Sequence, residues 1–260
     1  MFIAGTFSPY MSKLPDYLES TSFKNPEDSA KNLFQFATQT ELNFFDWLHT
    51  QPRQLDIFSA AMAASSARQE GPLTTKVSGL FPADGSEHRV LMVDVGGGRG
   101  QILNALRKNR EDLKGLMIVQ DLPREIDGRQ SSEEVQGMAY DFFTPQPVQA
   151  AHTYFFRHIF HDWPDQSCRE ILLNTIPAMK PNYSRIVIMD HVIPSTGASA
   201  FSSLLDINMI TLAGIERTDG HWRKLLEGVG LKVLYIEVPL MGDGVIEAVL
   251  ADGIRADESG

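Results

Sequence analysis

The run Val93-Asp94-Val95-Gly96-Gly97-Gly98-Arg99-Gly100 is the stretch of this sequence with the most chemistry in it. Its apolar lead predicts a buried strand. The glycines that follow let a backbone approach a ligand closely before a helix opens. The dinucleotide fingerprint G-x-G-x-x-G fails in every register: from Gly96 its last position falls on Gln101, and from Gly98 on Leu103, which weighs against a nicotinamide ligand. After the next strand comes Asp121, where an acid can accept hydrogen bonds from ribose hydroxyls. Further on, Asp141-Phe142 sets a carboxylate acceptor beside an aromatic able to line a base pocket. Taken singly these are a βα turn, a solvated turn residue, and a core-and-cap pair. Together they have the order that a nucleoside-bearing ligand requires.

Such residues need a sheet to hold them. Strands are predicted over Arg89 to Val95, Gly115 to Gln120, His152 to Arg157, Arg185 to Asp190 and Leu231 to Val238, with a last antiparallel strand within Met241 to Leu250. Helices are predicted over Gln101 to Lys108, Asp165 to Met179 and His221 to Gly228, and a helix-like run covers Phe201 to Leu212. This alternation implies an α/β fold, a doubly wound and mostly parallel sheet with helices on both faces. Before it, residues 1–80 form a helical segment. Asn25 caps its first helix with Pro26 in the first turn, while Phe44, Phe45, Leu48, Leu55, Phe58 and Met62 repeat at helical steps broken at Pro52. A turn cluster, Phe81 to Ser86, opens the second unit, residues 81–252, and 253–260 form a disordered tail.

With 43% hydrophobic residues over 260 positions the chain can bury a large core. Its 33 acidic residues against 23 Lys plus Arg give a net charge of −10, which disfavours nucleic acid and anionic membranes as partners. A single cysteine, Cys168, precludes a disulfide framework and a Cys-rich zinc site, consistent with the cytoplasm. No apolar run reaches the ~20 residues that a membrane span needs, and the start lacks the features of a secretory signal.

The run Val93 to Gly100 resembles the V-D-V-G-G-G-x-G motif of plant and fungal small-molecule O-methyltransferases of the caffeic acid type. Asp121-Leu122-Pro123 is similar to that family's D-L-P, His161-Asp162-Trp163-Pro164-Asp165 to its H-D-W-x-D, and Glu216-Arg217-Thr218 to its E-R-T. The four motifs stand in the family's order, and the resemblance runs from about Phe34 to Val249. It implies a class I, Rossmann-like, cation-independent enzyme that carries a methyl group from S-adenosylmethionine to a hydroxyl of a small aromatic or polyketide-type secondary metabolite. By the same resemblance Gly96, Gly97, Gly98, Asp121, Leu122, Asp141, Phe142 and Arg157 would contact the cofactor, Arg157 standing where plant members usually carry lysine.

Methyl transfer of this kind is an in-line displacement, and the acceptor oxygen must also lose its proton. A phenol titrates near ~10 and a free histidine near ~6.5, so a neutral imidazole within hydrogen-bond reach is a suitable base. The resemblance makes His161 that base; it lies beyond the strand His152 to Arg157, on the ligand side of the sheet, just before a helix marked by Pro164 and Asp165. A carboxylate on the other ring nitrogen would fix its tautomer, and in the family an acid brackets the histidine at each of the positions matching Asp190 and Glu216. Asp190 is shorter than the glutamate that plant relatives more often carry there. His152, His158, His191 and His221 lack such a setting and are read as structural, as is Trp163. No acid or histidine cluster has a metal-ligand spacing that this reading leaves unexplained.

Family members usually begin with a winged-helix segment that dimerises, and little of the chain stands ahead of Pro26 to supply one. The chain is then a truncated member, a homodimer through its first helices, or dependent on a partner that provides the missing domain. Phe2, Ile3, Phe7, Tyr10 and Met11 are where a partner would dock. Two further readings stay open: a cofactor-retaining fold that catalyses a pericyclic or cyclisation step, and a non-catalytic subunit.

Overall fold

The protein is described by a computed structural model over residues 9–62, 89–127, 135–239 and 242–251. Val90–Val95 (β1) is buried at every position after its first, as a central strand covered on both faces must be. It lies between Leu116–Asp121 (β2) and Thr153–Arg157 (β4), parallel to both. Val135–Ala139 (β3) closes one edge beside β2, and Arg185–Asp190 (β5) extends the other side beside β4. Gly244–Leu250 (β9) then pairs antiparallel with β5, and Leu231–Ile236 (β8) forms the far edge, giving the order β3-β2-β1-β4-β5-β9-β8. Two short strands, Val192–Ile193 (β6) and Arg217–Thr218 (β7), form a separate parallel pair.

Alternation along the strands divides the core. Tyr154, Phe156, Ile186 and Ile188 face one side, where Asp165–Thr175 (α6) and Asp219–Glu227 (α8) bury Ile171, Leu172, Trp222 and Leu225. Phe155, Val187 and Met189 face the other, against Ile102, Leu103 and Leu106 of Gln101–Asn109 (α4). Strand order reverses at β1, whose neighbours β2 and β4 lead the chain outward in opposite directions, and their carboxyl ends open the crevice where ligands of doubly wound sheets bind. The doubly wound, mostly parallel sheet is the predicted one. The predicted helix Asp165 to Met179 ends as α6 at Thr175 and continues as a 3₁₀ turn, Ile176–Ala178, because Pro177 cannot donate to the α ladder.

The helical segment begins differently from expectation. Residues 24–28 are irregular, and Asn25 and Pro26 start no helix. After helical backbone over residues 9–11 come the helices Leu14–Ser20 (α1), Leu33–Thr38 (α2) and Phe44–His49 (α3), followed by helical backbone over residues 52–62. The cap belongs to Asn32, whose side chain accepts from the Gln35 backbone while the Gln35 side chain accepts from the Asn32 backbone. That reciprocal capping box satisfies two donors at once, and it precedes the apolar pair Leu33-Phe34, whereas Pro26 is followed by polar residues. Phe34 is fully buried among Tyr10, Phe44 and Trp47, with ring centroids 5.1, 5.4 and 5.3 Å away. Tyr10 thus packs on Phe34 and is partly buried. The predicted boundary at residues 80–81, the turn cluster Phe81 to Ser86, the tail 253–260, and Phe2, Ile3 and Phe7 lie outside the described residues.

Several contacts join this segment to the sheet's ligand edge, Ser59 Oγ to Glu125 at 3.4 Å among them. Arg124, in the short helix Pro123–Asp127 (α5), donates to the His49 carbonyl at 2.9 Å, and Phe45 stacks on Trp163 with centroids 5.8 Å apart.

Candidate active site

The glycine turn joins β1 to α4. Gly96, Gly98 and Gly100 have φ of 72, 59 and 81°, the left-handed region that side chains other than glycine's adopt at a cost. Gly97 has an ordinary φ and is glycine for a different reason: a Cβ there would lie 2.5 Å from the Asp94 carboxylate and 2.7 Å from Val119. The turn is pinned to β2 by Gly96 and Gly97, whose N–H groups donate to the Gln120 carbonyl at 2.8 and 3.1 Å.

Asp121 closes the turn from the end of β2. One carboxylate oxygen accepts from Gly98 N–H and the other from Leu122 N–H, each at 2.7 Å. Burial nonetheless raises its pKa, since the two backbone bonds only partly offset desolvation. Each oxygen keeps a lone pair for a ligand hydroxyl. Phe142 stands next to the turn, its ring 3.8 Å from where a Gly96 Cβ would be. Asp141 is exposed and one oxygen accepts from Phe143 N–H at 3.0 Å, so it shapes its own turn as well as facing outward.

Asp94 joins the site without a motif of its own to mark it. It sits inside an apolar strand, is 1% exposed, and has one carboxylate oxygen without a partner. Burial pushes its pKa up to about 7, against the pull of Arg157 and with a further push from Asp121. An acid between Val93 and Val95, immediately before the glycines, is the signal that could have found it.

On the other side of the crevice, the 3₁₀ turn Phe160–Asp162 carries His161. Its Nδ1 lies 3.1 Å from Glu216 Oε1, and Glu216 is buried at the end of the loop that returns from the helix Ala200–Met209 (α7). The loop approaches closely: Ile215 N–H donates to the His161 carbonyl at 2.9 Å, and a Cβ on Gly214 would collide with that carbonyl. With Nδ1–H donating to Glu216, the remaining ring nitrogen, Nε2, is an acceptor whenever the ring is neutral.

Asp190 stands at the end of β5, fully buried, with neither carboxylate oxygen hydrogen-bonded. It therefore does not bracket His161 by a bond, as the resemblance implied, but acts on it through its charge. Burial raises its pKa to about 7, opposed by His161 and reinforced by Glu216, Asp243 and Asp162. Asp162 lies 3.6 Å from His161 Nε2 and is raised by burial to about 6. His161 itself is held well above an ordinary histidine: burial opposes its charge, and Asp162, Glu216 and Asp190 outweigh it. One histidine and these carboxyls share protons as a group.

Arg157 and His158 are joined by a residue that no motif announced. The Asp243 carboxylate accepts from His158 Nε2 at 2.7 Å and lies 3.6 Å from Arg157 Nη2. Paired to these two, it is held down at about 2, burial opposing. Arg157, expected at the cofactor, thus reaches Asp243 and influences Asp94. His158 is no bystander either: its ring lies over that of His161, centroids 5.1 Å apart at 32°. His191, read as structural, bridges the Gly242 carbonyl and Ser202. Trp163 is packing, as expected, against Phe45, Phe142 and Phe143. Beside it a crevice opens between Asn32, Asn43 and Phe45 of the helical segment and Asp162, Trp163 and Leu212. Among the described residues no cluster of His, Cys, Asp and Glu is arranged to hold a metal ion, and no helix is long and apolar enough to cross a membrane.

The family model of the O-methyltransferase domain matches residues 29–232. Demethylsterigmatocystin 6-O-methyltransferase of Aspergillus parasiticus is 39% identical over 236 residues, which are 88% of this chain and 59% of that protein. Among solved structures, OxaC in complex with S-adenosylhomocysteine (SAH) and oxaline superposes with a TM-score of 0.84 at 28% identity, over 95% of this chain and 64% of that one. A structure described as a pericyclic reaction enzyme superposes with a TM-score of 0.80 at 30% identity, over 94% and 64%. The chain spans somewhat under two thirds of the length of each of these three proteins.

Proposed function

The chain belongs to the O-methyltransferase domain family, and from that premise we propose that it transfers a methyl group from S-adenosylmethionine to a hydroxyl of a small aromatic or polyketide-type molecule. The observation that carries the reading is the pairing of the buried Glu216 with His161, partly buried after β4, the strand next to the one that leads into the glycine turn.

The residues fit the cofactor. The turn at Gly96, Gly97 and Gly98 leaves room that a side chain would fill, Asp121 keeps acceptor capacity for ribose hydroxyls, and Phe142 borders the turn. With Leu122, Asp141 and Arg157 these residues would hold S-adenosylmethionine, and the unpartnered oxygen of Asp94 suits a cationic or N–H-bearing group. When bound, the cofactor supplies an electrophilic methyl group on a sulfonium. His161 then takes the acceptor's proton on Nε2, while Glu216 holds Nδ1–H and stabilises the imidazolium that results. Asp162, 3.6 Å from Nε2, and Asp190 bear on the ring through their charge when they are ionised.

Residues 1–80 act as a unit that completes this pocket, and 81–252 as the cofactor-binding unit. The first helices, or a partner acting on them, supply a dimer contact. The net charge of −10 and single cysteine favour the cytoplasm and small-molecule partners. A second reading is a pericyclic or cyclisation step on the same fold, favoured by the likeness to the pericyclic reaction enzyme.

Calorimetric titration with S-adenosylmethionine and S-adenosylhomocysteine, on wild type and Asp121→Ala, followed by a methyl-transfer screen over phenolic acceptors, tests this. Binding lost in Asp121→Ala and a methylated product in wild type are expected. Binding with consumption of an acceptor but no methylation favours the second reading, and no binding removes both.

A further inference from the structure

Glu216 holds the ring of His161, and its neighbour Arg217 holds the chain on which that ring is carried. The Arg217 guanidinium is fully buried. Nη1 donates to the Phe160 carbonyl at 2.7 Å and Nη2 to the Trp163 carbonyl at 2.9 Å, one on each side of the His161-Asp162 pair. Nε and Nη2 also grip Asp165 Oδ1 at 3.0 and 2.8 Å. The Trp222 ring lies beneath the guanidinium, 5.4 Å from it. The second Asp165 oxygen is engaged by His221 Nε2 at 2.8 Å. The Phe160 carbonyl also accepts from Trp163 N–H and Cys168 Sγ, each at 3.3 Å, and the Trp163 carbonyl from Cys168 Sγ at 3.4 Å, so the guanidinium supplies the shortest bond to each.

We propose that Arg217 is the positioning residue of the catalytic base: its planar fork sets the Phe160–Trp163 turn so that His161 meets Glu216, and the adjacent residues Glu216 and Arg217 thereby govern ring and backbone of the base. A planar guanidinium with five fixed donors can serve two carbonyls and a carboxylate lying in different directions. A lysine at 217 keeps the charge and loses the span. The pairing of β6 with β7, Val192 opposite Arg217, ties this clamp to the chain that leaves β5 at Asp190. The assignment deepens the reading of His161 as proton acceptor and rests on it for the word base, but the geometry it asserts is independent of turnover.

The test is Arg217→Lys, with Asp165→Asn as the milder variant, in the full chain. Histidine-labelled protein is titrated by NMR, His161 being assigned from the spectrum of His161→Gln. The groups that face this ring are Asp162 beside it, Glu216 before β7, Asp190 of β5, His158 after β4 and Asp243 before β9, and none of them is altered. Arg217→Lys is expected to lower the His161 midpoint by about one pH unit or more, because the ring drifts from Glu216. It is also expected to cut kcat by at least about tenfold while leaving the cofactor's calorimetric Kd within about twofold. A folded Arg217→Lys protein whose His161 midpoint stays at the wild-type value overturns the proposal. If that variant does not fold, Asp165→Asn decides: a smaller downward shift supports the clamp, and an unmoved midpoint refutes it. Should wild type show no methyl transfer, the function fails while the NMR arm still reads the clamp.

Discussion

Fifty-five residues of chain separate His161 from Glu216, yet Nδ1 of the one lies 3.1 Å from Oε1 of the other. This contact makes the pH dependence of the site predictable. With its carboxylate neighbours His161 stays protonated well above 6.5, so activity that needs the neutral ring rises with pH along a limb whose midpoint lies above that value. In Glu216→Gln one negative neighbour is gone, and the limb moves to lower pH while kcat falls roughly 10²-fold or more. A pH series of kcat/KM on both proteins reads the two effects. A limb that stays put in Glu216→Gln contradicts the pairing.

Asp190 carries a stability consequence of definite sign. Its folded pKa of about 7 lies above the unfolded value near ~3.9, so the native state binds the proton more tightly. The associated stability is complete below about pH 4 and is lost as pH rises through about 7. Asp190→Asn, which cannot ionise, is expected to be more stable than wild type at pH 8 by on the order of 2–4 kcal/mol, with the gain vanishing near pH 4. Denaturant melts at the two pH values measure it, and equal stabilities at pH 8 would show that Asp190 is not held protonated by burial.

Gly97→Ala tests the cradle. The new Cβ would meet the Asp94 carboxylate and Val119 at 2.5 and 2.7 Å, forcing the turn off β2. Loss of calorimetric cofactor binding and a destabilisation of about 1–3 kcal/mol are expected. Retained binding would place the cofactor elsewhere.

The helical segment should be separable in stability from the sheet. Phe34 is the ring on which Tyr10, Phe44 and Trp47 converge, so Phe34→Ala is expected to cost about 3–5 kcal/mol locally. Hydrogen exchange should rise over α2 and α3 and at Trp163, which stacks on Phe45, while β1 and β4 stay protected. Uniform loss of protection would mean that the two parts unfold together.

Which of these features the sequence announces follows from where their signals lie. β4 and β5 carry continuous apolar runs, and β1 one broken only at Asp94, because both faces are buried, and such runs are legible. The bounds of β3 are not: as an edge strand it buries only Val135 and carries Gln136 and Gly137. Asn25-Pro26 has the residues of a helix start without an apolar face behind it, and the real start at Asn32 depends on a reciprocal pair with Gln35. In the site, Glu216 and His161 stand in recognisable motifs. Asp243 stands between two glycines, 85 residues from the histidine it binds, and His158 gains its setting only through that contact. Long-range pairs of this kind leave no local pattern.

The most direct test of the account is the rate of methyl transfer by His161→Ala at saturating S-adenosylmethionine, on an acceptor that wild type methylates. The account predicts cofactor binding within about twofold of wild type and a rate lower by about 10²–10⁴. Methylation at the wild-type rate would contradict it, since the proton of the acceptor would then be leaving by a route in which His161 has no part.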